Sequence, residues 1–237
     1  MLTRAEQDAA DWVHRIAAEG AEPVVLPCIS TEAVADPTLG QKLATALEEA
    51  TWLIFTSRRG VDAAAEHLHN QLPSQLQVAT VGASTAARVG KRFGRVAHVG
   101  GGNSRTLARE LIDESLIDEH SRCVLVLATN AGNTLEEILG AAGAAVERFD
   151  VYRTIPMPAP ATKRALSALA CDTVIFASPS AVAGFGNQFE VDTDVQMVTI
   201  GPSTSAAVRE HGWAVSAEAR EPDLSAILEA MLEIKGV

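Results

Sequence analysis

Two short stretches of the sequence share a spacing that can bind an anion. Gly82-Ala83-Ser84-Thr85 and Gly201-Pro202-Ser203-Thr204 each place a glycine three residues before a threonine, with a serine next to the threonine. Each follows a short apolar run, at 78–81 and 197–200. Each opens a helix-like stretch that ends near a glycine, Gly94 or Gly212. A buried strand, a tight glycine turn and a hydroxyl-rich helix start leave backbone N–H groups free at the positive end of a helix dipole. Such a turn can hold an anion without lysine or arginine. Helix capping uses the same Ser and Thr residues and would by itself account for a single copy. Two matched copies point further, to a pair of anion-binding turns.

Two more hydroxyl-rich turns follow buried apolar runs. Thr56-Ser57 comes after Trp52-Leu53-Ile54-Phe55, and Ser178-Pro179-Ser180 comes after Val174-Ile175-Phe176. Pro179 sits where a first-turn proline is tolerated, so Ser178 reads as an N-cap whatever else it does. The two phenylalanines, Phe55 and Phe176, read as strand core rather than stacking platforms. Arg58, Arg59 and Arg153 read as solvated charges.

The chain has 237 residues, enough for one large domain or two modest ones. It is 47% hydrophobic but only 4% aromatic, which suits an Ala-rich α/β protein with close helix–sheet contacts. A net charge of −11 disfavours nucleic-acid or acidic-membrane binding. Any acidic ligand must then be held by local N–H groups and a few arginines. No apolar run approaches the roughly 20 residues of a membrane span, and no signal peptide is evident at the N-terminus. Cys28, Cys123 and Cys171 are far apart and in or beside apolar runs, as expected of reduced thiols in a cytoplasmic protein. No Cys or His pair has metal-ligand spacing, so no metal site is expected. No Gly-x-Gly-x-x-Gly or Walker loop follows any strand. A Ser–His–Asp or Cys–His nucleophile has no local support.

The elements that must position these turns alternate in type. Helices are expected at 5–18, 41–50 and after Ser57, and again after each Gly-x-x-Thr turn. Residues 29–37 read as a connection, 161–169 as a helix and Ala214-Val215 as a short strand. Three strand–helix units, at 51–112 and 173–234, recur in the same order. The first block continues into a further unit at 123–152, and the unit missing from the second block is supplied by 1–27. The expected domains are therefore 1–28 with 157–237, and an inserted 37–152. Segments 29–36 and 153–160 link them. Alternating strands and helices imply parallel sheets, whose ligands bind beyond the carboxyl ends of the strands. All four hydroxyl-rich turns belong there.

At this point the chain resembles the uroporphyrinogen-III synthase family. The resemblance is carried by Thr3-Arg4, Phe55-Thr56-Ser57 with Gly60-Val61, the Gly82 to Ala86 turn, Val151-Tyr152-Arg153-Thr154, Phe176-Ala177-Ser178-Pro179-Ser180 and Gly201-Pro202-Ser203-Thr204. It implies two flavodoxin-like, five-stranded parallel-sheet domains joined by a two-stranded linker, with a ligand cleft between them. It implies closure of hydroxymethylbilane, a linear tetrapyrrole, to uroporphyrinogen III with loss of water and inversion of ring D. It implies no metal or cofactor, and a monomer is expected. Tyr152, the only tyrosine, matches a family tyrosine and would assist departure of the substrate hydroxyl. The implied substrate contacts are Arg4, Thr56, Ser57, Gly82, Ser84, Thr85, Ser178, Ser180, Gly201, Ser203 and Thr204. Two departures stand out. Ala5 replaces a proline after Thr3-Arg4, and Ala128-Thr129-Asn130-Ala131-Gly132 lacks an arginine that the family frequently carries. A non-catalytic ligand-binding or regulatory protein of the same fold is the alternative.

Overall fold

The computed structural model describes residues 1–235. The chain divides into two compact units. One is Met1–Thr31 with the chain from Thr154 onward, and the other is Glu32–Arg153. In chain order the helices are α1 (Ala10–Ala18), α2 (Leu39–Glu49), α3 (Arg58–His67), α4 (Ala83–Phe93), α5 (Ser104–Asp113), α6 (Thr134–Ala141), α7 (Pro179–Gln188), α8 (Pro202–Glu210) and α9 (Leu224–Lys235). The strands are β1 (Ile29–Ala33), β2 (Trp52–Phe55), β3 (Gln77–Val81), β4 (His98–Gly100), β5 (Arg122–Ala128), β6 (Ala145–Pro156), β7 (Arg164–Ala165), β8 (Thr173–Phe176), β9 (Phe189–Glu190), β10 (Gln196–Thr199) and β11 (Ala217–Glu218).

In the unit Glu32–Arg153 the sheet order is β1-β6-β5-β2-β3-β4. The pairs from β6 to β4 are all parallel. Val34 donates to the Val151 carbonyl, and Met157 donates to that of Cys28. These pairs run in opposite senses along the chain, so β1 lies antiparallel to β6. Every residue of β2 is buried, as a central parallel strand covered on both faces requires. Successive side chains point to opposite faces. Leu53 and Phe55 join Val124 and Val126 in one cluster with α2 and α3. Trp52 and Ile54 join Cys123 and Leu125 in another with α5 and α6.

The other unit has a regular parallel sheet of three strands, β11-β10-β8. Two single parallel bridges extend it, Ile175 to Leu2 and Leu2 to Val25. Numbered along the chain, its rows stand in the order 2-1-3-4-5. The five parallel strands of the first unit stand in the same order once β5 and β6, which come last in the chain, are given the places of residues 2 and 25.

Several sequence expectations need correction. The sheets do not hold five regular strands each among the described residues. One has six, because β1 adds to the edge of β6, and the other has three with bridges where residues 1–4 and 24–26 extend it. The connection at 29–37 contains β1, whose Ile29 and Thr31 favour extended backbone. The expected helix at 161–169 is β7 followed by a 3₁₀ turn, Leu166–Leu169. Ala170 then stops the turn with a left-handed backbone, φ 46°. The strand expected at Ala214-Val215 forms at β11 instead.

Candidate functional site

At the carboxyl end of β2, Ser57 is the N-cap of α3 and its Oγ accepts the Gly60 N–H at 3.0 Å. Gly60 lets this helix start press on the sheet. A Cβ there would sit 3.1 Å from the Val126 carbonyl oxygen. Ser57 Oγ also lies 2.9 Å from the hydroxyl of Tyr152, which is 9% exposed. These two residues are 95 apart in sequence, and the fold joins them.

A β-bulge makes that junction possible. Leu127 pairs with Asp150, but Ala128 pairs with Tyr152, so Val151 is an extra residue in β6. Strict alternation would send Val151 and Tyr152 to opposite faces. The bulge re-aims the strand, and Phe149, Val151 and Tyr152 all join the cluster on the α3 face. The Tyr152 carbonyl is held in turn by Thr129, through its N–H at 2.8 Å and its hydroxyl at 3.1 Å.

Arg148 secures the turn that carries Thr129. Its guanidinium donates to the carbonyls of Ala128 at 2.9 Å and Ala131 at 3.1 Å, and to Asn133 at 3.2 Å. It also pairs with Glu136 at 2.7 Å and Asp150 at 2.8 Å. Sequence reasoning missed this residue because it reads as an ordinary polar position of a strand. The available signal was an arginine in β6 with acidic residues on either side, at Glu147 and Asp150. The turn at 128–132 that lacks an arginine of its own thus receives a guanidinium from β6.

The two Gly-x-x-Thr turns form as helix starts, with Gly82 and Gly201 as N-caps of α4 and α8. Gly82 has φ +76° and ψ 158°, a region essentially reserved for glycine. Gly201, at φ 161° and ψ −178°, is simply extended. The threonines are turned inward. Thr85 is 3% exposed and Thr204 is 1% exposed, whereas Ser84 and Ser203 are exposed. The outward hydroxyls of these turns are therefore the serines. The Thr204 N–H is used within its turn, donating to Gly201 at 3.1 Å. Behind it, Ser205 and Thr199 share a buried hydroxyl contact of 2.6 Å.

Ser178 caps α7, accepting the Ala181 N–H at 3.2 Å, and lies 3.1 Å from the Ser180 hydroxyl. Arg4 stacks its guanidinium over Trp12, 4.3 Å from the ring centroid. Thr56 is half-buried beside Ser57, and Arg58 and Arg59 are half-buried rather than fully solvated. Arg153 is exposed and paired with Glu32 at 2.7 Å. Within the unit Glu32–Arg153 the structure brings Ser57 and Tyr152 together. In the other unit it brings Ser178 and Ser180 together. A cavity of about 810 Å³ opens at the opposite end of the sheet, against α2 and the starts of β5 and β6, and has none of these residues in its lining. Among the described residues no group of three His, Cys, Asp or Glu could hold a metal, and no helix is long and apolar enough to cross a membrane.

A sequence model described as uroporphyrinogen-III synthase HemD matches residues 10–229. The chain belongs to the uroporphyrinogen-III synthase family. The porphyrin biosynthesis protein HemD of Ruminiclostridium josui is 24% identical over 251 residues, covering 100% of this chain and 48% of that protein. The chain thus spans about half the length of the curated relative it matches. Two solved structures share its fold. One is a mutant uroporphyrinogen III synthase from the extreme thermophile Thermus thermophilus, at 19% identity and TM-score 0.54, covering 99% of this chain and 97% of that one. The other is uroporphyrinogen-III synthetase from Helicobacter pylori, at 22% identity and TM-score 0.54, covering 89% of this chain and 92% of that one. As a uroporphyrinogen-III synthase family member, the chain has an α/β fold similar to these structures.

Proposed function

We propose that this chain closes hydroxymethylbilane to uroporphyrinogen III, with loss of water and inversion of ring D, and that Tyr152 assists departure of the substrate hydroxyl. The observation that carries this reading is the Tyr152 hydroxyl 2.9 Å from Ser57 Oγ at the carboxyl end of a parallel sheet, in a chain of this family. As the C–O bond of the hydroxymethyl group breaks, the hydroxyl leaves as water with a proton from the phenol. The electron-poor carbon then bonds to the ring D carbon that already carries the bridging methylene. That older C–C bond breaks and re-forms at the unsubstituted ring D carbon, which inverts the ring, and the proton lost there balances the one supplied. A positioned acid of this kind contributes typically about 10²–10⁴-fold.

The finer architecture belongs to the same proposal. It has two flavodoxin-like domains, 1–28 with 157–237 and 37–152, linked through 29–36 and 153–160, with the substrate between them. The row order 2-1-3-4-5 supports it, being the flavodoxin order. Arg4, Thr56, Ser57, Gly82, Ser84, Thr85, Ser178, Ser180, Gly201, Ser203 and Thr204 would receive the substrate's carboxylates and pyrroles. Ser84 and Ser203 are the more accessible hydroxyls for this. Each helix start adds roughly 0.3–1 kcal/mol toward an anion. The reading takes the enzyme as a cytoplasmic monomer without metal or cofactor.

The test is conversion of enzymatically generated hydroxymethylbilane, with product isomers separated. The expected product is the inverted isomer, formed faster than the spontaneous one, with Tyr152→Phe lowering kcat at least about tenfold. Only the non-inverted isomer at the spontaneous rate would rule out the activity. Undiminished turnover by Tyr152→Phe would remove the tyrosine from the chemistry. The turn at 128–132, whose own arginine is absent, favours a second reading as a non-catalytic ligand-binding or regulatory protein. Substrate binding without turnover would support that one.

A further inference from the structure

We infer that Ser57 is a positioning residue that donates its hydroxyl proton to the Tyr152 oxygen and so sets the acidity of that phenol. The inference rests on the proposed role of Tyr152. Ser57 Oγ already accepts the Gly60 N–H at 3.0 Å, so its O–H is the one proton it can direct. The Tyr152 oxygen stands 2.9 Å away. The accepted N–H belongs to the first turn of α3, where the helix dipole is positive. An oxygen that accepts a hydrogen bond becomes a stronger donor through its own O–H. The capped serine is thus polarised toward donation. The reverse arrangement, with Tyr152 donating to Ser57, would tie up the proton that the chemistry needs.

The duplicated position isolates the effect. Ser178 caps α7 in the same way, through the Ala181 N–H, but its hydroxyl neighbour is Ser180 at 3.1 Å rather than a phenol. The capping device is common to both units, and one copy has a tyrosine in reach. That tyrosine is held in place, by the bulge at Val151 and by Thr129 on its carbonyl. Its hydroxyl therefore meets Ser57 at a fixed point. As a proton leaves Tyr152, the Ser57 O–H stabilises the developing phenolate, which lowers the barrier to donation.

Tyr152 is the only tyrosine in the chain, so in protein made with tyrosine carbon-13-labelled at Cζ a single resonance reports its ionisation. The titration runs from about pH 7 to about pH 11, bracketing the ordinary tyrosine range, with far-UV circular dichroism read at each point. Ser57→Ala should raise the midpoint by about one pH unit. Ser57→Gly, which caps a helix nearly as well as serine, should do the same without loss of fold. Ser57→Thr should restore the wild-type midpoint. Ser178→Ala, an equivalent cap loss, should leave it unmoved. Turnover of hydroxymethylbilane should fall in kcat more than it rises in KM for the first two variants. An unmoved or lowered midpoint in Ser57→Ala and Ser57→Gly would overturn the inference. If wild-type protein shows no turnover, the catalytic reading fails by itself, and the titration still decides the direction of the hydrogen bond.

Discussion

Ser57 and Tyr152 carry the proposed chemistry, and Arg148 holds the frame in which they meet. Ser57 was legible as a helix cap from Thr56-Ser57 alone. The company it keeps was not, because a hydrogen bond over 95 residues leaves no trace in local spacing. Cys28 and Cys123 are buried as the sequence suggested, whereas Cys171 is half-buried. Burial pushes the thiols of Cys28 and Cys123 up to about 12, from an ordinary 9.0. In the unfolded chain both would ionise near the ordinary value. Between about pH 9 and pH 12 the unfolded chain therefore binds fewer protons than the folded one, and stability falls as pH rises. The slope is at most about 1.4 kcal/mol per pH unit for each thiol. Urea midpoints measured from about pH 8 to pH 10.5 should decline less steeply in a Cys28→Ala, Cys123→Ala double variant than in wild type. Parallel declines would show that the thiols titrate normally in the fold.

Among the elements, the matched turns prove unequal. The sequence presents Gly82 and Gly201 as the same residue in the same place. The backbone separates them, with Gly82 at φ +76° and Gly201 extended at φ 161°. A Cβ at either glycine would meet nothing within 4 Å, so conformation alone decides the cost of a side chain. Gly82→Ala should lose about 1–3 kcal/mol, and Gly201→Ala should stay within about 0.5 kcal/mol of wild type. Chemical denaturation of the two variants checks this, and equal losses would contradict the difference in backbone. The helices themselves were readable from periodicity and caps. Ser57, Ser178 and Asn103 each accept an N–H three residues on, and Gly94 ends α4 in the left-handed conformation expected of a terminal glycine. The short edges β7, β9 and β11 were missed or displaced, because two residues at a sheet edge carry too little pattern to read.

At the scale of the whole molecule, charge and duplication matter most. A chain of net charge −11 proposed to bind a polycarboxylate repels its substrate at long range. The turns offer neutral N–H and hydroxyl donors, whose contacts salt screens little. Raising ionic strength from about 10 mM to about 150 mM shortens the screening length from about 30 Å to about 8 Å. It should therefore raise kcat/KM for hydroxymethylbilane, the opposite of a site built on lysine and arginine. A fall in kcat/KM over that range would mean that cationic side chains dominate capture. The two sets of core residues stay within their own units, with β2, β3, β5 and β6 contributing to one and residues 1–2, β8 and β10 to the other. That segregation follows from a repeat in which each half carries its own apolar strands.

The sequence by itself determined the alternation of strands and helices, the repeat, the family resemblance and the capped turns. All of these depend on residues within one or two helical turns, or on the order of such segments. Only the tertiary structure decided which hydroxyls meet and which face inward. The extra residue Val151 turns Tyr152 onto the α3 face, Arg148 braces the turn beneath it, and Thr85 and Thr204 turn inward while Ser84 and Ser203 face out. A bulge shifts a strand's pairing by one residue without changing its composition. The face that a side chain takes is therefore set by the neighbouring strand, and no reading of one segment at a time contains it.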